Sequence, residues 1–218
     1  MIALVLSLVV GLPVARAQIQ VEGLFMGGCP FMLSGRNMLG YATLGGRLQF
    51  MYHSESLFWQ PYLAVSLNAM RLPVHNKEIE SLAMPVWHTS LAAGINRDIL
   101  KTEENRNEWS VGGGVGICML RPKGETLLIE GRESSLGYDT HINQAWFPEI
   151  ELNIKWLTYV YEGSRSSSYM GLQLNTAALW LSDNRERFTT YLSGTEYSLN
   201  FNDFAIWPSI CAVVGFRF

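Results

Sequence analysis

Apolar and polar residues alternate along most of this chain with the period of two that marks β-strands. Eight stretches carry the pattern: 18–26, 40–53, 58–72, 86–99, 108–121, 145–161, 168–182 and 205–218. The last is the cleanest at its end. Ile206, Pro208, Ile210, Ala212, Val214, Phe216 and Phe218 share one face, and Ser209, Cys211, Gly215 and Arg217 share the other. In the sixth stretch Trp146, Pro148, Ile150, Leu152, Ile154 and Trp156 oppose Phe147, Glu149, Glu151, Asn153 and Lys155. The fifth sets Trp109, Val111, Val115, Ile117 and Met119 against Ser110, Gly112, Gly114, Gly116 and Cys118. Such strands are two-sided, and the pattern predicts an all-β, antiparallel, up-and-down barrel of eight strands.

The spacing of the stretches adds a direction. The links after stretches two, four and six are short, and those after one, three, five and seven are long. Short turns at one end and long loops at the other are the habit of barrels that cross a bacterial outer membrane. An even strand count puts both chain ends on the short-turn side. Within the last long link, residues 187–192 and 196–201 flank Ser193-Gly194-Thr195, a plausible hairpin turn. They read as extensions of stretches seven and eight beyond the membrane; two further membrane strands, making ten, are the alternative. The link 122–144 has room for a similar hairpin around Glu130-Gly131-Arg132-Glu133.

Trp146 and Trp156 give the apolar face a length. They are ten residues apart, which is about 33 Å along a strand at about 3.3 Å per residue. At a tilt of about 40° the height is about 25 Å, that of the lipid-facing band between the aromatic girdles of membrane barrels. Only aliphatic residues and Pro148 lie between them on that face. A soluble eight-stranded barrel of lipocalin type would put its apolar face inside, whereas here one face collects charge. The inward parity carries Glu22, Arg47, Glu149, Glu151, Lys155 and Arg217. Both signs are present, and in a lumen just wide enough to be filled by side chains they must pair. The expectation is a structural polar network; a gated narrow pore through the same residues is the alternative.

Composition narrows the setting. The chain has a net charge of −3 with no basic stripe, so nucleic acid is not an expected partner. Residues 2–15 are almost wholly apolar and Ala15-Arg16-Ala17 fits a cleavage site, so residues 1–17 read as a cleaved signal peptide and 18–218 as the barrel domain. No Lys or Arg precedes the apolar run, a departure from the usual export signal. Cys29, Cys118 and Cys211 are an odd set, which rules out a complete disulfide framework.

Candidate chemistry is sparse. Gly112 to Gly116 is not a phosphate loop, because the strand alternation runs straight through it instead of turning into a helix. His88-Thr89-Ser90 has the spacing of the His-x-Ser pair used by one class of lipid A-modifying barrels. The imidazole would take the Ser proton and a carboxylate would orient it. By parity, however, both residues face the lumen, and spacing assigns no third member. His53, His75 and His141 lack metal-ligand spacing, so no catalytic residue, metal or cofactor is expected.

The Gly215-Phe-Arg-Phe218 ending, the Trp146/Trp156 pair and the alternating link lengths resemble the small monomeric outer-membrane barrels of Gram-negative bacteria, in the style of the OmpA transmembrane domain and OmpX. The resemblance is one of architecture over the whole mature chain. It implies location in the outer membrane among its lipids, and insertion by the barrel-assembly machinery reading Phe216 and Phe218. It also implies a non-enzymatic, structural or surface-interaction role in the cell envelope. The polar and aromatic residues of the long links, including Tyr138, His141, Arg185, Arg187, Phe188, Tyr191 and Tyr197, are where an extracellular ligand is expected to meet it. A narrow solute channel, and beyond it a lipid A-modifying enzyme, are the alternatives.

Overall fold

The computed structural model describes residues 18–29, 31–32, 43–54, 57–74, 82–102, 106–122, 127–129, 132–134, 140–142, 146–163, 166–180, 188–192, 195–198 and 204–218. The expected signal peptide, residues 1–17, lies outside them. The described strands are β1 (Gln18–Gly28), β2 (Phe31–Met32), β3 (Thr43–His53), β4 (Gln60–Val74), β5 (Leu82–Thr102), β6 (Asn107–Pro122) and β7 (Leu127–Ile129). They continue with β8 (Arg132–Ser134), β9 (Thr140–Ile142), β10 (Trp146–Glu162), β11 (Ser167–Trp180), β12 (Phe188–Leu192), β13 (Thr195–Ser198) and β14 (Phe204–Arg217).

Eight of these form the barrel, in the order β4-β3-β1-β14-β11-β10-β6-β5, and a β4–β5 pairing closes the ring. All of these pairings are antiparallel. Closure removes every edge that an open sheet would expose. The seam joins the first and last of the described strands: β1 and β14 pair from Gln20↔Arg217 to Gly28↔Ser209. Phe218 and Ile19 add two backbone hydrogen bonds to it.

The period-two pattern settles which face is which. Ile150, Leu152 and Ile154 point outward and are exposed, while Glu149, Glu151, Asn153 and Lys155 alternate with them and are buried. Outward apolar residues recur on every barrel strand, among them Phe25, Leu48, Val65, Leu91, Val115, Leu172 and Val214. A polar interior under an apolar exterior is the reverse of the lipocalin alternative.

Several boundaries differ from the sequence reading. β1 runs on through Gly27 and Gly28 instead of ending at Met26. At Gly28 a Cβ would strike the Pro208 carbonyl and the Trp207 indole, so the missing side chain lets the strand continue beside β14. β5 is 21 residues long, well beyond the expected 86–99. Register shifts lie between Asp98 and Leu100 and between Tyr159 and Tyr161. Each inserts an extra residue that flips the parity beyond it; hence Ile99 and Leu100 are both exposed, as are Val160 and Tyr161.

The long-link segments differ more. β12 and β13 pair as the expected hairpin, but they form a separate three-stranded sheet with β9. They are neither extensions of β11 and β14 nor a ninth and tenth membrane strand. Too few of their residues are apolar for a lipid face, and β9 offers an edge to pair with. The hairpin foreseen in 122–144 exists as β7 and β8, and it joins the barrel sheet through β5.

Inward glycines make room for large lumen side chains. A Cβ on Gly94 would strike the Tyr62 ring and the Gly113 carbonyl, and one on Gly114 would lie 2.5 Å from Tyr62 Oη. Tyr169 lies in the same way over Gly215. Gly94→Val is therefore expected to cost about 1–3 kcal/mol by overpacking. Outward Gly46 is the control: a Cβ there meets nothing closer than a backbone oxygen at 3.7 Å. Gly46→Val should stay within about 0.5 kcal/mol of the parent. Urea unfolding of the two variants in lipid vesicles tests the difference.

Candidate functional site

The lumen is where this chain concentrates polar chemistry. All six inward charged residues read from the sequence are buried there, carried by β1, β3, β10 and β14. They are joined by Glu108 of β6, which faces the same interior. Ions this far from water are stable only when each is paired and its remaining lone pairs and protons are used.

Three such pairs fill the barrel from the short-turn end towards its middle. Near the short turns Arg217 Nη2 lies 3.4 Å from Glu108, and Arg217 Nε donates to Gln20 Oε1 at 2.9 Å. Tyr159 Oη donates to the other Glu108 oxygen. Further in, Lys155 Nζ meets Glu22, which also accepts from Gln20 Nε2 at 2.7 Å and Tyr169 Oη at 3.2 Å. Beside it Arg47 grips Glu151 with both terminal nitrogens, one at 2.7 Å. Tyr62 Oη donates to the same carboxylate at 2.6 Å, and Arg47 Nη2 also reaches Gln49 Oε1 at 3.1 Å. The planar guanidinium fork against a carboxylate is the strongest of these contacts and the most directional.

Glu149 stands apart. It does not meet a Lys or Arg in this network but faces the His88 imidazole, with Nε2 to Oε2 at 3.3 Å. His88 Nδ1 lies 3.1 Å from the Asn68 side-chain amide, and its ring packs edge-on against Trp207. The carboxylate that spacing left unassigned beside His88 is thus Glu149. Ser90 is elsewhere engaged: its hydroxyl shares a 2.5 Å hydrogen bond with that of Ser66. His88 and Ser90 face the same interior on neighbouring inward positions of β5, and each is held by a different partner.

Towards the long-loop end the lumen turns apolar. Met70, Val86, Leu120, Phe147, Leu179 and Trp207 are fully buried there. The Trp207 indole donates to Thr43 Oγ1 at 3.0 Å, which satisfies its one polar atom.

On the outside, Trp146 and Trp156 lie at opposite ends of the apolar band, Trp146 exposed and Trp156 half-buried. Trp156 packs beside Trp109, with ring centroids 6.4 Å apart. Trp87 and Trp180 are exposed at the Trp146 end. Phe216 and Phe218 are exposed at the other end and stack at 6.4 Å.

No family model matches the chain, and no curated protein matches it in sequence. Solved structures do match its fold. A major outer membrane protein from Thermus thermophilus superimposes with a TM-score of 0.50 at 10% identity, covering 93% of this chain and 100% of that one. Neisserial surface protein A gives 0.46 at 10% identity over 91% and 95% of the two chains. Ail of Yersinia pestis gives 0.46 at 8% identity over 93% and 99%. This chain has the fold of the small outer-membrane β-barrels. At such identities the likeness concerns the backbone alone, and the lumen of this barrel has to be read from its own residues.

Several residues of this outer-membrane-type barrel escaped the sequence reading. Glu108 opens the fifth stretch and Tyr62 lies inside the third, both on inward parity, two residues before Ser110 and Ala64. Parity alone points both inward, as it does their neighbours two residues on. Tyr159, Tyr169 and Gln20 also lie on inward parity and carry the second set of hydrogen bonds.

Proposed function

We propose that this protein is an outer-membrane barrel with a closed lumen and no enzymatic activity, whose long-loop end is its interacting surface. The observation that carries this reading is the fill of the lumen: three buried ion pairs with their tyrosine donors below, and a layer of packed apolar side chains above. An eight-stranded barrel so filled has little free cross-section. The paired charges serve to hold opposite walls together, Arg47 of β3 to Glu151 of β10 and Lys155 of β10 to Glu22 of β1. The apolar belt between rings of aromatic residues fits contact with outer-membrane lipids. The small sheet of β9, β12 and β13 at the long-loop end offers strand edges to a partner by β-augmentation. Residues 1–17 would serve as the export signal, and Phe216 and Phe218 as the mark read during assembly.

In planar bilayers the purified barrel is expected to give no sustained conductance steps. Regular unitary steps from the wild-type protein would overturn the closed lumen. A narrow channel is the second reading, and one observation favours it. Side-chain amide atoms of Asn153, Gln173 and Asn175, neighbours on the β10–β11 wall, have no protein hydrogen-bond partner. Their hydrogen-bonding capacity is left for water.

A further inference from the structure

Glu149 presents a charge problem that the rest of the lumen does not. Among the described residues the fully buried charged groups are four carboxylates, Glu22, Glu108, Glu149 and Glu151, against three cations, Arg47, Lys155 and Arg217. Each of the three cations meets one of the other three carboxylates, so Glu149 is the surplus one. Its neighbour His88 does not resolve the matter as an ordinary hydrogen-bonded pair. Nε2 and Oε2 are 3.3 Å apart, yet neither atom makes a hydrogen bond. Since the distance is short enough, it is the direction that is wrong.

A third group completes the picture. Cys118 of β6 is fully buried, and its Sγ, a ring nitrogen of His88 and a carboxylate oxygen of Glu149 all lie within 4.8 Å of one another. The three sit on adjacent strands, β5, β6 and β10, with Cys118 paired to Ser90 on one side and Phe147 on the other. We propose that His88, Cys118 and Glu149 form a binding site for a borderline-soft divalent cation of the Zn²⁺ type inside the lumen.

The chemistry of the donor set fits such an ion. Imidazole nitrogen, thiolate sulfur and carboxylate oxygen are the ordinary zinc ligands, and three protein ligands with water in the fourth position is a standard tetrahedral arrangement. With metal bonds of about 2.0–2.2 Å, a tetrahedral N···O edge is about 3.4 Å, close to the observed 3.3 Å. An N···S edge at a metal–sulfur bond of about 2.3 Å is about 3.6 Å, so from a separation of no more than 4.8 Å the thiol has about 1.2 Å to close at most. A dication with one thiolate and one carboxylate is a neutral centre, the cheapest state for a buried site. Asn68 supplies the outer support. Turned so that its free Oδ1 faces His88, it accepts from Nδ1–H and leaves the Nε2 lone pair for the metal. A Trp207 ring edge-on to the imidazole holds its plane.

The test uses the full barrel folded into detergent or vesicles with and without Co²⁺ as a spectroscopic stand-in for Zn²⁺. Folding with the ion present avoids any need for it to penetrate a closed lumen. The expected result is one Co²⁺ per chain, a thiolate-to-cobalt charge-transfer band, and loss of that band when Zn²⁺ is supplied instead. Cys118→Ser should remove the band while the barrel still shows heat-modifiable gel migration. The double variant Cys29→Ser/Cys211→Ser should keep it. Asn68→Ala should weaken binding about 10–100-fold, the usual cost of losing an outer-sphere partner. A folded wild-type barrel without the band, or a band that survives Cys118→Ser, overturns the site.

Discussion

Glu151→Gln is expected to destabilise the folded barrel by about 3–5 kcal/mol, the cost of breaking a buried pair from one side. The Arg47 guanidinium is buried and spends both terminal nitrogens on this carboxylate. A neutral amide accepts from only one of them and leaves the positive charge uncompensated in a poorly solvated lumen. Tyr62 loses the charge-assisted character of its 2.6 Å hydrogen bond at the same time. Urea midpoints in lipid vesicles, read by gel migration without boiling, measure the loss. The double replacement Arg47→Met/Glu151→Leu should return most of it, because two apolar groups of similar volume carry no desolvation penalty. A cost below about 1 kcal/mol for the single variant would match a solvent-exposed pair. It would mean that water reaches Arg47, and the hydrated-channel reading would gain.

One position along the strand, the opposite face gives the second large effect. Leu152 is 66% exposed and lies on β10 between Trp146 and Trp156. Leu152→Arg is expected to cost about 2–4 kcal/mol in a bilayer, the penalty for a cation at the midplane of a barrel's lipid face. Tyr161, exposed beyond Trp156 at the short-turn end, is the depth control, and Tyr161→Arg should cost about 0–1 kcal/mol. Vesicle-folded protein unfolded in urea gives both values. Equal and negligible costs at the two depths would remove lipid from the description of this surface. Glu151 and Leu152 thus probe two solvents a single residue apart.

The face of each residue was legible because the strand period is two, so parity alone sends Glu151 inward and Leu152 outward. The alternation of Ile206 to Phe218 also sufficed to place the last strand. Where the period breaks, the legibility stops. Nothing local announced the extra residues near Ile99 and Val160, and Gly27-Gly28 looked like a terminus although Trp207 needs the space above Gly28. Partnership inside the lumen was illegible for a different reason. Parity names the wall a side chain leaves, not the wall it reaches, and Arg47 finds Glu151 across 104 residues of chain. The approach of Cys118 to His88 and Glu149 is of the same kind, since no ligand spacing within one segment foretells a site spread over three strands. The β9–β12–β13 sheet joins two different long links, which a hairpin signal in either one does not reveal.

The seam between β1 and β14 has a consequence for how this molecule comes into being. Arg217 donates to Gln20 across 197 residues, almost the full span from β1 to β14. Contacts so remote in sequence are slow to form, because the whole intervening chain must be confined first. The ring cannot close until β14 takes its place between β1 and β11, so closure waits for the last of the eight barrel strands. Throughout that interval two unpaired strands and a belt of apolar side chains are on offer to any neighbour. The same closure that leaves the finished barrel without an edge makes the incomplete one most open to misassociation just before β14 is in place.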